Sequence, residues 1–194
     1  MTKHRCGWCV GDPLYEAYHD QEWGVPVYDD QTIFEFLILE TFQAGLSWIT
    51  ILRKRENFRE ALDDFDYKKI ARYSEAKLEA LLQNPGIIRN KLKVKATVSN
   101  AQAFIKIQEE FGSFSKYIWS FVNHKPIQNS VKIYKEAPAT TAISDALSKD
   151  LKKRGFKFTG STVVYAHMQA TGMVNDHEMD CFRYAEVKSL GVKP

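Results

Sequence analysis

The longest hydrophobic stretch of the chain covers residues 33–52 and reads IFEFLILETFQAGLSWITIL. The apolar residues at positions 33, 34, 37 and 38 share one face of a helix, so the pattern predicts a helix over residues 31–42 with Asp30 as its N-cap. Gly45 interrupts the stretch and predicts a turn. A second helix is expected to follow over residues 47–55.

An acidic residue and a tryptophan stand out in this stretch. Glu40 lies between Leu37 and Phe42, where its carboxylate would be desolvated. A buried, unpaired carboxylate is costly, so such a group is usually paired, protonated or held for a ligand. Together with the flat side chain of Trp48, it favours a pocket for a flat, cationic, hydrogen-bonding ligand. In the alternative interpretation Glu40 faces solvent or pairs with an arginine. Glu35, near the helix start, can face outward.

The rest of the chain has the spacing of short helices. Asp12 or Asp20 is expected to cap a short helix that begins at Pro13. Further helices are predicted over residues 56–65 and 68–83, from the end of the Asn-Pro-Gly hairpin to a stop at Gly112, and over 114–123, 144–154 and 161–171, with a turn at Asp66, a loop over 124–141, and Ser144 opening the penultimate helix. Almost no segment alternates between apolar and polar residues, so the sequence predicts an all-α fold.

Residues 78–98 have the pattern of a helix-hairpin-helix, a short module that binds a DNA phosphate. A helix ends near residue 83, an Asn-Pro-Gly turn follows, and two isoleucines precede a second helix. In this module backbone N–H groups and the positive end of the second helix face a phosphate oxygen, and basic side chains add charge. The candidate DNA-binding residues are Gly86, Ile87, Arg89, Lys91 and Lys93. The alternative is an ordinary corner between two helices with a solvated basic face.

Composition limits the classes of protein to consider. The 194 residues carry a net charge of +3, and 44% of them are hydrophobic, which suffices for a core and fits one domain or two small lobes. Such a mild charge does not by itself require a nucleic-acid partner. No run of 18 apolar residues occurs, and the first residues lack the apolar segment of a signal peptide. A cytoplasmic protein that does not span a membrane is therefore expected.

Potential metal ligands lie near both ends of the chain. The odd number of cysteines favours a metal site or free thiols over a disulfide framework. His177 and Cys181 are four residues apart, which would place both on one face of a helix. With Cys6 and His19 they complete a Cys2His2 set for one structural zinc ion, which would join the two terminal segments. Cys9 leaves open which N-terminal cysteine binds the metal.

Many segments of the chain are similar to the 3-methyladenine DNA glycosylase I family of bacterial alkylation-repair enzymes. The similarity covers essentially the whole chain through RCGW at 5–8, DPLYEAYHDQEWGVP at 12–26, ETFQAGLSWITILRKRENF at 40–58, PGIIRNKLK at 85–93, WSFVNHKP at 119–126, SDALSKDLKKRGFKFTG at 144–160 and NDHEMDC at 175–181. The resemblance implies one glycosylase domain of the helix-hairpin-helix superfamily over residues 1–194, in which a base pocket lies between two helical lobes.

The resemblance also implies roles for individual residues. It assigns catalysis to Glu40, which reads the methylated base, and to Tyr18, which assists. It implies that Trp48 stacks on the base and that Trp8 and Tyr15 lie near the wall of the pocket. Gly45 and Leu46 are expected to enter the DNA stack. The implied zinc ligands are Cys6, His19, His177 and Cys181. Cys9 departs from this pattern as an extra thiol beside the expected ligand.

The implied reaction is removal of 3-methyladenine from double-stranded alkylated DNA by a monomeric enzyme without lyase activity. The base must leave the helix stack before its glycosidic bond can be reached. In the wider superfamily an aspartate downstream of the hairpin assists, but no aspartate lies between Lys91 and Tyr117, and the nearest acids are Glu109 and Glu110. Hydrolysis is therefore expected to rely on the lability of the cationic base.

Two other classes of protein remain as alternatives. A DNA-binding module without enzymatic activity would explain the hairpin and its basic residues, but not an acid beside aromatic residues. A zinc hydrolase would need an open coordination position, which a set of four protein ligands does not leave.

Overall fold

The computed structural model describes residues 3–191, in which the long apolar stretch forms most of a central helix, a turn and a short second helix. The described residues are mostly helical. Their α-helices are α1 (Pro13–Gln21), α2 (Asp30–Gln43), α3 (Trp48–Leu52), α4 (Arg55–Ala61), α5 (Tyr67–Ile70), α6 (Glu75–Gln83), α7 (Lys91–Phe111), α8 (Phe114–Ser120), α9 (Ala142–Lys153), α10 (Ser161–Ala170) and α11 (Phe182–Leu190). Two short strands, β1 (Ile127–Gln128) and β2 (Val174–Asn175), pair in parallel.

Helix α2 organises the core. Every residue from position 33 to position 42 of this helix is buried. It packs against α3, α7, α8 and α10. A helix that is apolar on all sides must be covered on all sides, and this is why the other helices surround it. The helix predicted over residues 31–42 is confirmed.

The N-cap of α2 is Asp29, so the prediction of Asp30 was wrong by one residue. The Asp29 carboxylate accepts hydrogen bonds from the backbone N–H and the hydroxyl of Thr32, both at 2.8 Å. The Asp30 carboxylate instead accepts the N–H groups of Phe114 and Ser115 at 2.9 and 2.7 Å. It therefore holds the start of α8 against the start of α2. Two adjacent aspartates made the two roles indistinguishable in the sequence.

Other helix starts follow the side chains available for capping. Asp12 caps α1 with Pro13 at the first position, as predicted. Asp66 caps α5, which confirms the predicted turn. The sequence predicts one long helix after this turn. In the structure that helix is interrupted, because the Ser74 side chain accepts the N–H of a residue three positions later and starts α6. Likewise Thr141, not Ser144, caps α9.

Two helices, α6 and α7, flank the Asn-Pro-Gly turn. Helix α6 ends at Gln83, and Asn90 caps α7 through hydrogen bonds from Leu92 and Lys93. Ile87 is buried in the core between the two helices. Within residues 3–191 none of the helices is both long enough and apolar enough to cross a membrane.

The C-terminal segment differs most from the prediction. A further helix, α11, follows the one predicted to be last. His177 and Cys181 do not lie on a helix, because they belong to the connection between β2 and α11, where Cys181 is the N-cap. The connection is anchored by β2, which pairs with β1 from the long loop over residues 124–141. The spacing of four residues brings the two ligands together through a turn.

Candidate active site and metal centre

A cavity of about 330 Å³ lies beside α2. The five residues predicted for the base pocket all line it, namely Glu40, Tyr18, Trp48, Trp8 and Tyr15. Helix α2 supplies the acid, α1 supplies the two tyrosines, and the tryptophans come from the N-terminal segment and the first position of α3. The structure therefore brings together side chains that are up to 40 residues apart in the sequence.

Glu40 is buried, and within residues 3–191 it has no ionic partner to compensate its charge. Its side chain lies on α2 with 4% of its surface exposed, and Oε2 has no hydrogen-bond partner among the described residues. Burial raises the pKa of this carboxyl to about 8. Near pH 7 the protonated form of Glu40 therefore predominates. A carboxyl in this state gains a partner when a cation enters the cavity.

Glu35, one turn and a half earlier on α2, has the opposite environment. Its Oε1 accepts hydrogen bonds from Arg55 Nε at 2.6 Å and Arg59 Nε at 3.0 Å. The sequence suggested that Glu35 can face outward. In the structure Glu35 is buried, because two arginines compensate its charge. The contrast shows that α2 pairs one of its acids within the fold and leaves the other for the cavity.

Aromatic side chains form most of the cavity wall. The ring centroids of Tyr18 and Trp48 are 5.5 Å apart, and those of Trp8 and Tyr15 are 4.8 Å apart. Burial raises the pKa of Tyr15 to about 12, and burial together with the nearby Glu40 raises that of Tyr18 well above its usual value. Both phenols are neutral near pH 7. The wall is therefore flat, uncharged and suited to stacking against a planar ring.

The turn after α2 stands at the edge of this cavity. Gly45 has φ +85°, in the left-handed region that favours glycine, and Leu46 is 41% exposed. Both residues line a smaller cavity of about 190 Å³ that also touches Glu40. The turn thus presents an apolar side chain to solvent next to the acid.

Lys93 supports this turn and is not a surface charge. Its ammonium is buried and donates to the carbonyl oxygens of Phe42 at 2.9 Å and Ala44 at 2.8 Å. A cation at the C-terminus of α2 satisfies carbonyls that the helix leaves free. The expectation that Lys93 adds exposed charge to the hairpin was therefore wrong, because its stem is long enough to reach the neighbouring helix end.

The turn between α6 and α7 offers fewer free backbone N–H donors for a phosphate than the sequence suggested. The Gly86 N–H already donates to Asn84 Oδ1 at 2.8 Å. In the described part of the chain no acceptor is found for the N–H groups of Ile88, Arg89 and Lys91. The Arg89 and Lys91 side chains are exposed. The free donors therefore lie between the turn and the start of α7, where the positive end of the helix dipole adds to them.

The four predicted metal ligands come together at the other side of the N-terminal segment. Their ligand atoms all lie within 4.8 Å of one another, and all four side chains are buried. Cys6 Sγ is 3.6 Å from His177 Nδ1, and Cys181 Sγ is 3.5 Å from His19 Nε2. In a tetrahedral zinc site the bond lengths place a sulfur and a nitrogen ligand about 3.6 Å apart. The cluster could therefore hold a metal ion.

Both histidines are oriented to present a lone pair to the centre of the cluster. His177 directs Nε2 to the carbonyl oxygen of Trp23 at 3.0 Å, and His19 directs Nδ1 to Asp20 Oδ1 at 2.9 Å. Each of these nitrogens carries the ring proton, because its partner can only accept. The other nitrogen of each ring is then free to bind a metal, in the arrangement usual for metal-bound histidines.

The charges of the cluster also suit a cation. The hydrogen bond with Cys6 holds the pKa of Cys181 below its usual range, against the effect of burial. The hydrogen bond with Cys181 and burial raise the pKa of Cys6 above its usual value. The pair thus shares a proton, and a divalent cation in its place would neutralise two thiolates. Cys9 lies outside the cluster, where its thiol faces the Cys6 carbonyl oxygen at 3.2 Å.

Some residues of the cavity were not predicted from the sequence. They are Trp23, Gln43, Ser47, Tyr134, Ala166 and Gln169. Tyr134 lies in the long loop and Gln169 on α10, and neither position carries a pattern that distinguishes it from a surface or core residue. Only Trp23 had a signal, the high density of aromatic residues in the N-terminal segment.

The chain is similar to known proteins over nearly its full length. A family model for methyladenine glycosylase matches residues 8–184. DNA-3-methyladenine glycosylase 1 of Escherichia coli (strain K12) is 51% identical over 180 residues, which are 93% of this chain and 96% of that protein.

Solved structures agree with this similarity. A crystal structure of 3-methyladenine DNA glycosylase I superposes with a TM-score of 0.90 at 50% identity, over 92% of this chain and 98% of the other. A variant of 3-methyladenine DNA glycosylase I in complex with 3-methyladenine superposes with a TM-score of 0.89 at 39% identity, over 92% and 96% of the two chains. The resemblance seen in the sequence is confirmed, and the chain belongs to the methyladenine glycosylase family.

Proposed function

We propose that the protein is a DNA-3-methyladenine glycosylase, which hydrolyses the N-glycosidic bond of 3-methyladenine in alkylated double-stranded DNA. It leaves an abasic site and has no lyase activity. The observation that carries this proposal is the buried Glu40 carboxyl, unpaired at Oε2, which faces an aromatic cavity in a chain of this family. The relatives named above support it, because they are called 3-methyladenine glycosylases and one was solved with that base bound.

The cavity selects the damaged base through its charge. In DNA, 3-methyladenine is cationic, whereas adenine is neutral. A cation between Trp48 and Tyr18 gains cation–π attraction, and it lowers the pKa of Glu40 again, so that an ion pair forms away from water. Adenine gains neither interaction. When the glycosidic bond breaks, its electron pair passes to the base, which leaves as a neutral molecule, and the positive charge passes to the sugar, where attack of water with loss of a proton removes it.

No second acid assists at the bond that breaks. Among the described residues that line the cavity, Glu40 is the one with a carboxyl group. Glu110, one of the two acids nearest in sequence to the expected aspartate, pairs with Arg154 at 2.6 Å on the exposed end of α7. The cationic base is already a good leaving group, and a water molecule can then attack the sugar. Tyr18, whose neutral hydroxyl belongs to the cavity wall, assists removal of the base.

Leu46 fills the gap that the flipped base leaves in the DNA. Its exposure at the tip of the Gly45 turn, next to Glu40, supports this role. Leu46→Ala is expected to slow excision from duplex DNA about tenfold, because an unfilled stack favours return of the base. Binding of free 3-methyladenine should remain unchanged in this variant, as measured by titration calorimetry. An equal loss in both assays would show that Leu46 shapes the pocket instead.

The hairpin between α6 and α7 binds a DNA phosphate through the free N–H groups of Ile88, Arg89 and Lys91. The side chains of Arg89 and Lys91 add charge, and Gly86 and Ile87 shape the turn and anchor it in the core. Lys93 acts indirectly, through the turn that carries Leu46.

Lys91→Ala is expected to weaken DNA binding to a similar extent for all DNA sequences. The slope of the logarithm of the binding constant against the logarithm of the salt concentration should become shallower by about one unit or less, because roughly one phosphate contact is lost. Fluorescence anisotropy with two unrelated duplexes over a range of salt concentrations measures this. Lys93→Met serves as a matched comparison, in which activity falls more than DNA affinity. A loss confined to one duplex sequence would contradict the proposed role of Lys91.

The cluster of Cys6, His19, His177 and Cys181 holds one structural zinc ion. The donor set and the spacing of the ligand atoms support zinc. With four protein ligands the ion supplies no reaction chemistry and joins the N-terminal segment to the connection before α11. Residues 1–194 thus act as one glycosylase domain with the cavity between its helical lobes.

The test of the proposed function is a release assay with alkylated duplex DNA, in which the liberated bases are identified by chromatography. Release of 3-methyladenine with a rate above that of the spontaneous reaction is expected. Binding of DNA without release would indicate a non-enzymatic DNA-binding module instead.

A further inference from the structure

A groove along α10 leads into the base cavity. Three cavities, of about 330, 190 and 340 Å³, adjoin one another at Ala166, which lines all of them. The first is the base cavity, the second extends to the turn that carries Leu46, and the third extends to the loop that carries Lys135. Because the side chain of Ala166 is small, the groove stays open at the place where the cavities meet.

The first turn of α10 forms one wall of this groove. Thr162 lines the second and the third cavity, and its side chain is exposed. The N-cap is Gly160, which has no side chain to cap the helix. Within residues 3–191 no acceptor is found for the backbone N–H groups of Ser161, Thr162 and Val163. These free donors lie at the positive end of the helix dipole, so the wall suits an anion.

A second feature of the groove indicates what its ligand is. Glu40 lines the cavity that separates Leu46 from Thr162 as well as the base cavity, and its Oε2 has no hydrogen-bond partner among the described residues. A base that meets this buried carboxyl is attached to a sugar and a phosphate, which must then lie in the outer part of the groove. Among the described residues that line the three cavities, Glu40 is the one acid. The outer part of the groove therefore accommodates a phosphate without repulsion from a second carboxylate.

We propose that the first turn of α10 binds a phosphate of the damaged DNA strand, next to the flipped nucleotide, through the backbone N–H groups of Ser161, Thr162 and Val163. The inference rests on the proposed function and adds a contact to the one proposed for the hairpin between α6 and α7. Both contacts lie beside the turn that carries Leu46, because Lys93 of α7 binds the Ala44 carbonyl oxygen and Thr162 faces Leu46 across the small cavity.

The new contact has a function that the hairpin cannot supply alone. A strand that is held at one phosphate can still rotate the nucleotide back into the helix stack. A second fixed phosphate, next to the flipped nucleotide, restrains this rotation while the base meets Glu40. The first turn of α10 is thus a positioning element that acts on the DNA backbone and makes no contact with the base.

Thr162→Glu tests the contact by placing a carboxylate in front of the three N–H groups. An acid in the first turn of a helix is favourable for the helix itself, so the variant should fold. Its affinity for a duplex with a tetrahydrofuran abasic site should fall about tenfold or more, because the carboxylate repels the phosphate and competes for its donors. Thr162→Gln has the same size without the charge. It is the matched control and should bind nearly as well as the unchanged protein.

A scan with neutral linkages locates the phosphate. Duplexes are prepared with a single methylphosphonate linkage at successive positions around the abasic site, and fluorescence anisotropy measures their affinity. The linkage next to the abasic site should weaken binding by the unchanged protein. In Thr162→Glu the same linkage should restore part of the lost affinity, because the carboxylate then has no charge to repel. Restoration at every position alike would show a general effect of charge and overturn the inference.

The remaining outcomes separate this inference from the proposed function. Equal affinities of Thr162→Glu and Thr162→Gln would overturn the inference. Binding of free 3-methyladenine, measured by titration calorimetry, should be unchanged in Thr162→Glu, because Thr162 does not line the base cavity. An equal loss in both binding assays would show that Thr162 shapes that cavity and would overturn the inference as well. An unchanged protein that releases no 3-methyladenine would contradict the proposed function itself.

Discussion

Glu40→Gln is expected to excise 3-methyladenine roughly ten- to thousand-fold more slowly than the unchanged protein, because a charged, hydrogen-bonded partner of the cationic base is lost. The substitution keeps the size of the side chain and part of its hydrogen bonding, so the variant should remain folded. Single-turnover release from alkylated DNA measures the effect. Excision at the unchanged rate would contradict the role proposed for Glu40.

Two other acids provide controls for this prediction. Glu35→Gln alters a buried acid of the same helix that pairs with Arg55 and Arg59. It should lower the free energy of unfolding and leave excision by the folded protein unchanged. Glu110→Gln should leave excision unchanged as well. If it abolished cleavage while base binding persisted, the acid that positions water would be Glu110.

The raised pKa of Glu40 makes the same variant informative about stability. Burial moves this pKa from about 4.5 to about 8, so between these values the native protein holds a proton that the unfolded chain has lost. The free energy of unfolding therefore falls as pH rises through this range. Glu40→Gln removes that dependence, and near pH 8 it should be more stable than the unchanged protein by up to a few kcal/mol. Urea unfolding at pH 5 and pH 8 measures the difference.

The activity should follow pH in the opposite direction. Ionised Glu40 is the form that attracts the cation, so kcat/KM should rise with pH through the pKa of the free enzyme near 8. In Glu40→Gln this rise should be absent. Loss of stability and gain of activity over the same pH range are consequences of one desolvated carboxyl, which the fold leaves without an arginine so that a ligand can supply the charge.

Some features of the site could be predicted because they contradict their surroundings. An acid in the middle of an apolar helix stands out, and so the sequence alone singles out Glu40, whereas Glu35 near the helix start did not. The four candidate metal ligands were recognisable because cysteine and histidine are uncommon and form a complete set. The helix limits were predicted within a few residues wherever a run of apolar residues was long, as in α2.

Other features depend on contacts between distant segments. In the sequence Lys93 resembles any other basic residue of the hairpin, whereas in the fold it binds the end of α2. Asp29 and Asp30 cannot be ranked as caps without knowing that α8 starts nearby. Gln169 and Tyr134 join the cavity through the packing of α10 and the long loop. In each case the sequence shows a polar side chain, and only the fold shows which distant group it meets.

Cys181→Ala is expected to lose the metal and to lower the stability more than Glu35→Gln or Leu46→Ala does. The purified protein should contain about one zinc per chain. Structural zinc in a small domain can contribute on the order of 10 kcal/mol, and a core of this size should retain part of its helical structure without it. Zinc content by mass spectrometry and thermal unfolding measure the two effects. Cys6→Ala, His19→Ala and His177→Ala should behave alike.

Loss of the metal should also reach the base cavity. His177 donates to the Trp23 carbonyl oxygen, and Trp23 lines the cavity and contacts Trp8 with ring centroids 5.1 Å apart. Excision should therefore fall in Cys181→Ala even below its unfolding temperature. Cys9→Ala is the matched control, since this buried thiol lies three residues from Cys6 but outside the cluster. Zinc retained in Cys6→Ala but lost in Cys9→Ala would show that the other thiol binds the metal.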